Sequence, residues 1–300
     1  MSFLNPVNEP VLRFKSTDAS APQINYNART AGDVKAVLKT CLVTGYGATA
    51  SAGWSIANEV NHVAEFVSPS AAMSDYRLGI DDTSTSSTTW YYQYRDARVN
   101  PAYNTPSKNI SYVDKLHASN GWQLFVTPRG IIFVELFYST VVNKLSARLT
   151  YWGQAKSGLT ATTGANMMFF NIGQSATISE PYYLYSANYP HFQLESFSGT
   201  RVFAATPFAV DVTDYNLSVS NVDIVSAMYL ASTNKDVVLG ELPGMVSKVV
   251  NNTADMYGIS EQTLSTRPVL SVCCGYNDPR VQYMYSRGRT YLIYLDYWEY

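Results

Sequence analysis

Asp81 with Asp82, Asp211 with Asp214, and Glu241 are the carboxylates of this chain that could work in pairs. Two carboxyl groups held across a cleft can split a glycosidic bond, one as acid and the other as base or nucleophile, and aromatic rings for stacking on sugars are plentiful here. A fold can bring carboxylates together from anywhere, so their spacing neither assigns nor excludes hydrolase chemistry. His62, His117 and His191 stand alone, without the spacing of a metal-binding helix or a neighbouring ligand cysteine, and read as structural or surface histidines. Cys41, Cys273 and Cys274 are odd in number, and the vicinal pair lacks the CxxC spacing of a structural zinc site, so all three read as reduced. There is no GxSxG elbow and no GxxxxGK[ST] phosphate loop. Gly45, Gly47 and Gly53 follow a helical pattern where a dinucleotide fingerprint needs a strand. The sequence therefore assigns no catalytic, cofactor-binding or metal-binding residue, and the expectation is a protein that is not an enzyme.

Binding to polyanions is expected to be absent as well. The net charge is −2, and no long run of Lys or Arg provides a field for nucleic acid. The most basic stretch, Arg280 with Arg287 and Arg289, alternates with Tyr283, Tyr285 and Tyr291. It fits a solvated strand face as well as a basic aromatic strip for single-stranded nucleic acid. No apolar run approaches the length of a membrane span. Met1-Ser-Phe-Leu-Asn-Pro6 lacks the basic and apolar regions of a signal peptide, so a reducing cytoplasm is expected, and the sequons at Asn109, Asn216 and Asn251 carry no weight.

The elements that must position these residues are mostly strands. One helix is predicted over 30–45, where Val34, Val37, Leu38, Cys41 and Leu42 recur at the spacing of a single helical face. Thr30 is expected to cap it, Asp33 suits the positive end of its dipole, and Gly45 supplies the left-handed stop. After Trp54, short aromatic and β-branched runs alternate with turn residues. Strands are predicted over 60–67, 76–81, 89–95, 122–127, 131–138, 145–152, 167–172, 182–186, 202–206, 224–230, 269–274 and 290–296. The surest hairpin turns at Pro128-Arg-Gly130, and its second arm is too apolar for an exposed edge. That arm should be a central strand covered on both faces, or covered by a neighbouring subunit. The tract 82–89 and the segment 100–108 read as exposed loops.

Composition completes the reading. The chain has 300 residues, 46% of them apolar, enough for a full core. Only 15% are charged against a usual share of about a quarter, while 24 are tyrosine. Tyrosine suits both pleated strands and surfaces where proteins meet, and its total here favours an assembling protein. The fold class expected is mainly β, an antiparallel sandwich or barrel-like core with Greek-key connections and one short amphipathic helix near the N-terminus. Residues 1–22 read as an extended arm or leader, and 23–300 as a single β-rich domain or two tightly packed β subdomains.

Three stretches carry a likeness. Ser16-Thr-Asp-Ala-Ser-Ala-Pro22, then Leu38-Lys-Thr-Cys-Leu-Val-Thr-Gly-Tyr-Gly47, then Ala52-Gly-Trp54 resemble a group of tailed-bacteriophage and prophage virion proteins. That group shares a Ser-Thr-Asp-x-x-Ala-Pro element, a Cys-Leu-Val-x-Gly-Tyr-Gly run and a Gly-Trp pair. Phe169-Phe170-Asn-Ile-Gly173 and Gly240-Glu-Leu-Pro-Gly244 are similar to its later elements, while the tyrosine-rich C-terminus and the polar loop after Asp81 depart from it. The resemblance implies a virion component made in the host cytoplasm, a homo-oligomer whose partners are its own copies and other virion proteins. Tail or baseplate is the first placement and capsid decoration the alternative. A receptor- or glycan-binding tail protein, with or without hydrolase activity, is a third, its host-surface glycan partner unsupported by any residue. Gly45, Gly47 and Trp54 read as fold determinants, the glycines for backbone freedom and Trp54 to close the corner they make.

Overall fold

The structure, a computed structural model, describes residues 6–25, 30–74, 76–94, 105–106, 111–114, 119–139, 144–154, 156–157, 167–172, 194–195, 201–202, 206–208, 224–231, 238–250, 258–273 and 288–300. In chain order, the first strands are β1 (Asn8–Pro10), β2 (Leu12–Lys15), β3 (Ser55–Val60), β4 (Val63–Val67), β5 (Tyr76–Asp81), β6 (Ser87–Tyr94), β7 (Thr105–Pro106) and β8 (Ser111–Asp114). The middle ones are β9 (Ser119–Thr127), β10 (Gly130–Ser139), β11 (Lys144–Gln154), β12 (Lys156–Ser157), β13 (Met167–Ile172), β14 (Leu194–Glu195) and β15 (Arg201–Val202). The last are β16 (Thr206–Phe208), β17 (Ile224–Ala231), β18 (Val238–Val250), β19 (Ile259–Leu264), β20 (Arg267–Cys273), β21 (Gly288–Tyr294) and β22 (Tyr297–Glu299). The strand predicted over 182–186 lies outside the described residues.

The protein is mainly β, a sandwich-like stack of antiparallel sheets with a helix near the N-terminus, and among the described residues no sheet closes into a barrel. Among the described residues three large sheets form it. The first contains β3 to β8, the second runs β13-β11-β10-β9-β2, and the third runs β16-β17-β18-β21-β20-β19 with β12 beside β18. In the third sheet β18, β21, β20 and β19 lie in Greek-key order, all antiparallel.

Side-chain alternation decides how the sheets stack, because successive residues of a strand face opposite sides. On β10, Ile131 and Phe133 enter a core with Ala64, Phe66, Leu78, Ile80 and Trp90 of the first sheet. Ile132, Val134 and Leu136 enter another with Met245, Leu270, Val272 and Ile293 of the third. The second sheet is therefore the middle layer. The apolar arm of the predicted hairpin is a central strand, paired on both sides and covered on both faces.

The helix α1 (Asp33–Lys39) packs Val34, Val37 and Leu38 into the first of these cores and continues as one wider π-turn over Thr40–Thr44. Gly45, at φ 76°, ends it and donates its N–H to the Thr40 carbonyl at 2.7 Å. The start differs from expectation. The residue before the helix is Gly32, at φ 88° and without a side chain to cap, and the Asp82 carboxylate arrives from beyond β5 to accept the Val34 and Lys35 N–H groups at 2.9 and 3.2 Å. Residues 8–15, within the stretch read as an arm or leader, pair with strands of this same chain, β1 with β22 and β2 with β9.

Candidate interaction surface

The residues considered for chemistry are taken up by structure wherever they are described. Asp81 accepts the Thr83 N–H at 3.0 Å, closing a local turn. Asp82 is fully buried, its second oxygen accepting the Thr88 hydroxyl at 3.0 Å, so the neighbouring carboxylates serve separate structural tasks and face no common cleft. Glu241 lies 3.7 Å from the Lys156 ammonium. Asp211, Asp214, His117, His191 and Cys274 lie outside the described residues, and of Cys273 only the backbone is described. The His62 ring covers Gly32, where an added Cβ would come within 2.5 Å of its Nδ1. Cys41 is fully buried, and burial, with the nearby Asp18 charge, holds its thiol far above the ordinary range, the opposite of a reactive nucleophile. Of the basic aromatic strip, Tyr291 is buried in the core between the second and third sheets, while Arg280, Tyr283, Tyr285 and Arg287 lie outside the described residues. Among the described residues no three His, Cys, Asp or Glu side chains are grouped to hold a metal ion.

Residues of the three N-terminal stretches, 16–22, 38–47 and 52–54, come together as one corner. Tyr46 donates its hydroxyl to Asp18 Oδ2 at 2.7 Å, and the same oxygen accepts the Lys15 N–H at 2.9 Å. Burial and this bond push the Tyr46 phenol well above its ordinary value. Ser16 exchanges two bonds with Trp122: its N–H meets the Trp122 carbonyl at 2.9 Å, and its hydroxyl accepts the Trp122 N–H at 3.0 Å. The Trp122 indole donates to the Pro22 carbonyl at 3.0 Å. Trp54 is buried, hydrogen-bonded through its backbone to Leu42 and set against the Trp152 ring at 5.7 Å. Gly47, at φ 53°, lets the backbone pass the Ala19 carbonyl. Gly244, at φ 77°, lies under the Trp298 ring, with room for no Cβ. Gly173 lies outside the described residues.

What the surface offers is a seam along β1, β2 and β22 where arginines meet rings and carboxylates. Arg13 lies over Phe125, bonds Gln123 at 3.0 and 2.8 Å, and reaches Glu261 at 2.6 Å. Arg129 lies over Tyr300 and pairs with Glu9 at 2.9 Å. Arg267 is held between the rings of Tyr294 and Tyr297, 3.8 Å from each centroid, and grips Asp296 with two nitrogens. Burial alone would raise the Asp296 carboxyl; the guanidinium and the Tyr297 N–H outweigh it and hold the group below its usual range. Lys156 adds a contact to Glu299 at 3.2 Å. No protein-family model matches the chain, and no curated protein matches it in sequence.

The seam combines residue types that dominate the energetic centres of protein interfaces, Tyr and Arg, already fixed in position so that little side-chain freedom is lost on contact. Among the described residues its ionic groups are committed to partners, which suits recognition by shape and ring contact over proton transfer. The sequence missed this cluster because it joins residues 9, 13, 129, 261, 267 and 296–300. Only the density of tyrosine near the C-terminus hinted at it.

Proposed function

We propose that this chain is a non-enzymatic structural component of a tailed-bacteriophage particle, associated with tail or baseplate and working by self-assembly and contact with other virion proteins. The observation that carries the reading is the corner itself. Asp18, Tyr46, Gly47 and Trp54, from stretches that resemble the virion group, take part in one packed arrangement where the N-terminal segment, the helix and the middle sheet meet. Such residues specify a fold, and a shared fold signature without reactive groups suits a building block. The pre-ordered arginine and tyrosine seam supports the contact role.

The deciding experiment is the copy number of the protein in purified particles, by quantitative mass spectrometry against the major capsid protein. Tens of copies or fewer support the tail placement. A ratio near one to the capsid protein replaces it with capsid decoration, and absence from particles removes the structural reading altogether.

A further inference from the structure

We propose that residues 6–15 form an exchangeable strand, which docks on β9 and β22 of its own chain or, equally, on the same two strands of a second copy. The inference rests on the self-assembly reading above and gives it a mechanism.

The way the strand is held argues for this. Among the described residues β2 sits at the edge of the middle sheet and β1 pairs with β22 alone, so the segment adds to edges and interrupts no sheet. Between residues 6 and 15 only Phe14 is buried. Val7 and Leu12 are 43% and 46% exposed, two of the three large apolar side chains most exposed among the described residues. The segment is thus fastened by backbone pairing, by the partly exposed ion pairs Arg13–Glu261 and Glu9–Arg129, and by one buried anchor, Phe14 against Tyr46. Regions of that kind open locally far more easily than a core strand.

Opening leaves two strand edges, on β9 and β22, whose register and side-chain partners match this sequence. A second copy offers the same strand, and docking it re-forms the same pairing and the same ion pairs. The hinge favours it. Residues 16–22 make a tight turn with Ser20 at φ 64°, a left-handed conformation that a non-glycine residue leaves at a gain once the turn extends. The Tyr46 to Asp18 hydrogen bond holds that turn closed.

Asn8 and Glu299 are register partners between β1 and β22, flanking the doubly bonded Val7 and Tyr300 pair, and so sit at the close spacing suited to a cross-strand disulfide. Full-length chains carrying Asn8→Cys and others carrying Glu299→Cys are co-expressed, with Cys273 and Cys274 replaced by serine, and oxidised. Exchange predicts a covalent dimer of twice the chain mass on a non-reducing gel, which disappears on reduction. The double variant in one chain shows whether the pair can close. Lys15→Cys with Gln123→Cys, partners between β2 and β9, repeats the test at a second position. Intrachain closure in the double variants with no mixed dimer at either position overturns the proposal. Light scattering on the parent protein then separates the two readings: an oligomer without mixed cross-links keeps self-assembly and removes exchange, and a monomer removes both.

Discussion

Glu135 and Arg148 face each other across β10 and β11, both nearly inaccessible to water and joined by bonds of 2.6 and 2.9 Å. A lone charge inside the apolar run 131–138 needs a partner, and the matching lone charge in 145–152 supplies it. Breaking such a pair from one side leaves an uncompensated charge in the core. Glu135→Gln is expected to destabilise by about 3–5 kcal/mol, whereas Glu135→Leu with Arg148→Met together should be near neutral or stabilising. Urea midpoints of the three proteins measure both. Gly244 is a second sensitive residue, since its left-handed backbone and the Trp298 ring both resist a Cβ, 2.3 Å from the ring in the present conformation. Gly244→Ala should cost about 1–3 kcal/mol for the backbone alone. Asp296 gives a pH dependence. Its folded carboxyl is more acidic than its unfolded one. The stabilisation is therefore complete above the ordinary carboxylate value of about 3.9, and is lost as pH falls through the lower folded value. Arg267→Met should flatten that acid limb of stability, read from urea midpoints at descending pH.

At the scale of elements, the helix shows a cap supplied from far away. Removing the Asp82 carboxylate strands the N–H groups of Val34 and Lys35 and the Thr88 hydroxyl in a buried place. Asp82→Ala should cost at least about 2 kcal/mol, with loss of helical signal on denaturation ahead of the wild type. The helical face was legible because apolar periodicity is local; its cap was not, because 48 residues separate Val34 from Asp82. Strands marked by alternation or by a short bounded apolar run were legible too, and 76–81 and 167–172 are observed as predicted. The single strand predicted over 60–67 is instead the end of β3, a turn and β4, with Asn61 at φ 50° reversing the chain inside an otherwise unbroken pattern. β18 was hidden by Pro243 and Gly244, which argue against a central strand. They fall in the gap where the pairing with β17 shifts register, before the pairing with β21 begins at Met245, so the proline breaks no ladder. β19 is polar on both faces, and β1 and β2 are recruited by partners more than a hundred residues away.

At the scale of the molecule, the middle sheet ties everything to itself. Its alternate residues make up one wall of each core, so neither outer sheet has a hydrophobic surface to rest on once β10 and β11 separate. Five large side chains report on the two cores: Trp54, Trp90, Trp122 and Trp152 lie between the first and second sheets, and Trp298 between the second and third. If the layers are mutually dependent, fluorescence of the parent protein, fluorescence of a Trp298→Phe variant and far-ultraviolet circular dichroism should each give one transition, at a common midpoint within each protein. Trp298→Phe should itself lower the midpoint, because the smaller ring no longer fills the place above Gly244 or donates to the Tyr294 carbonyl at 3.1 Å. Two separated transitions, with the tryptophan signal of the first core outlasting part of the dichroism, would mean that the third sheet melts by itself. The second sheet would then be stable with one face bare, and its two-sided burial would be a consequence of packing instead of the condition for folding.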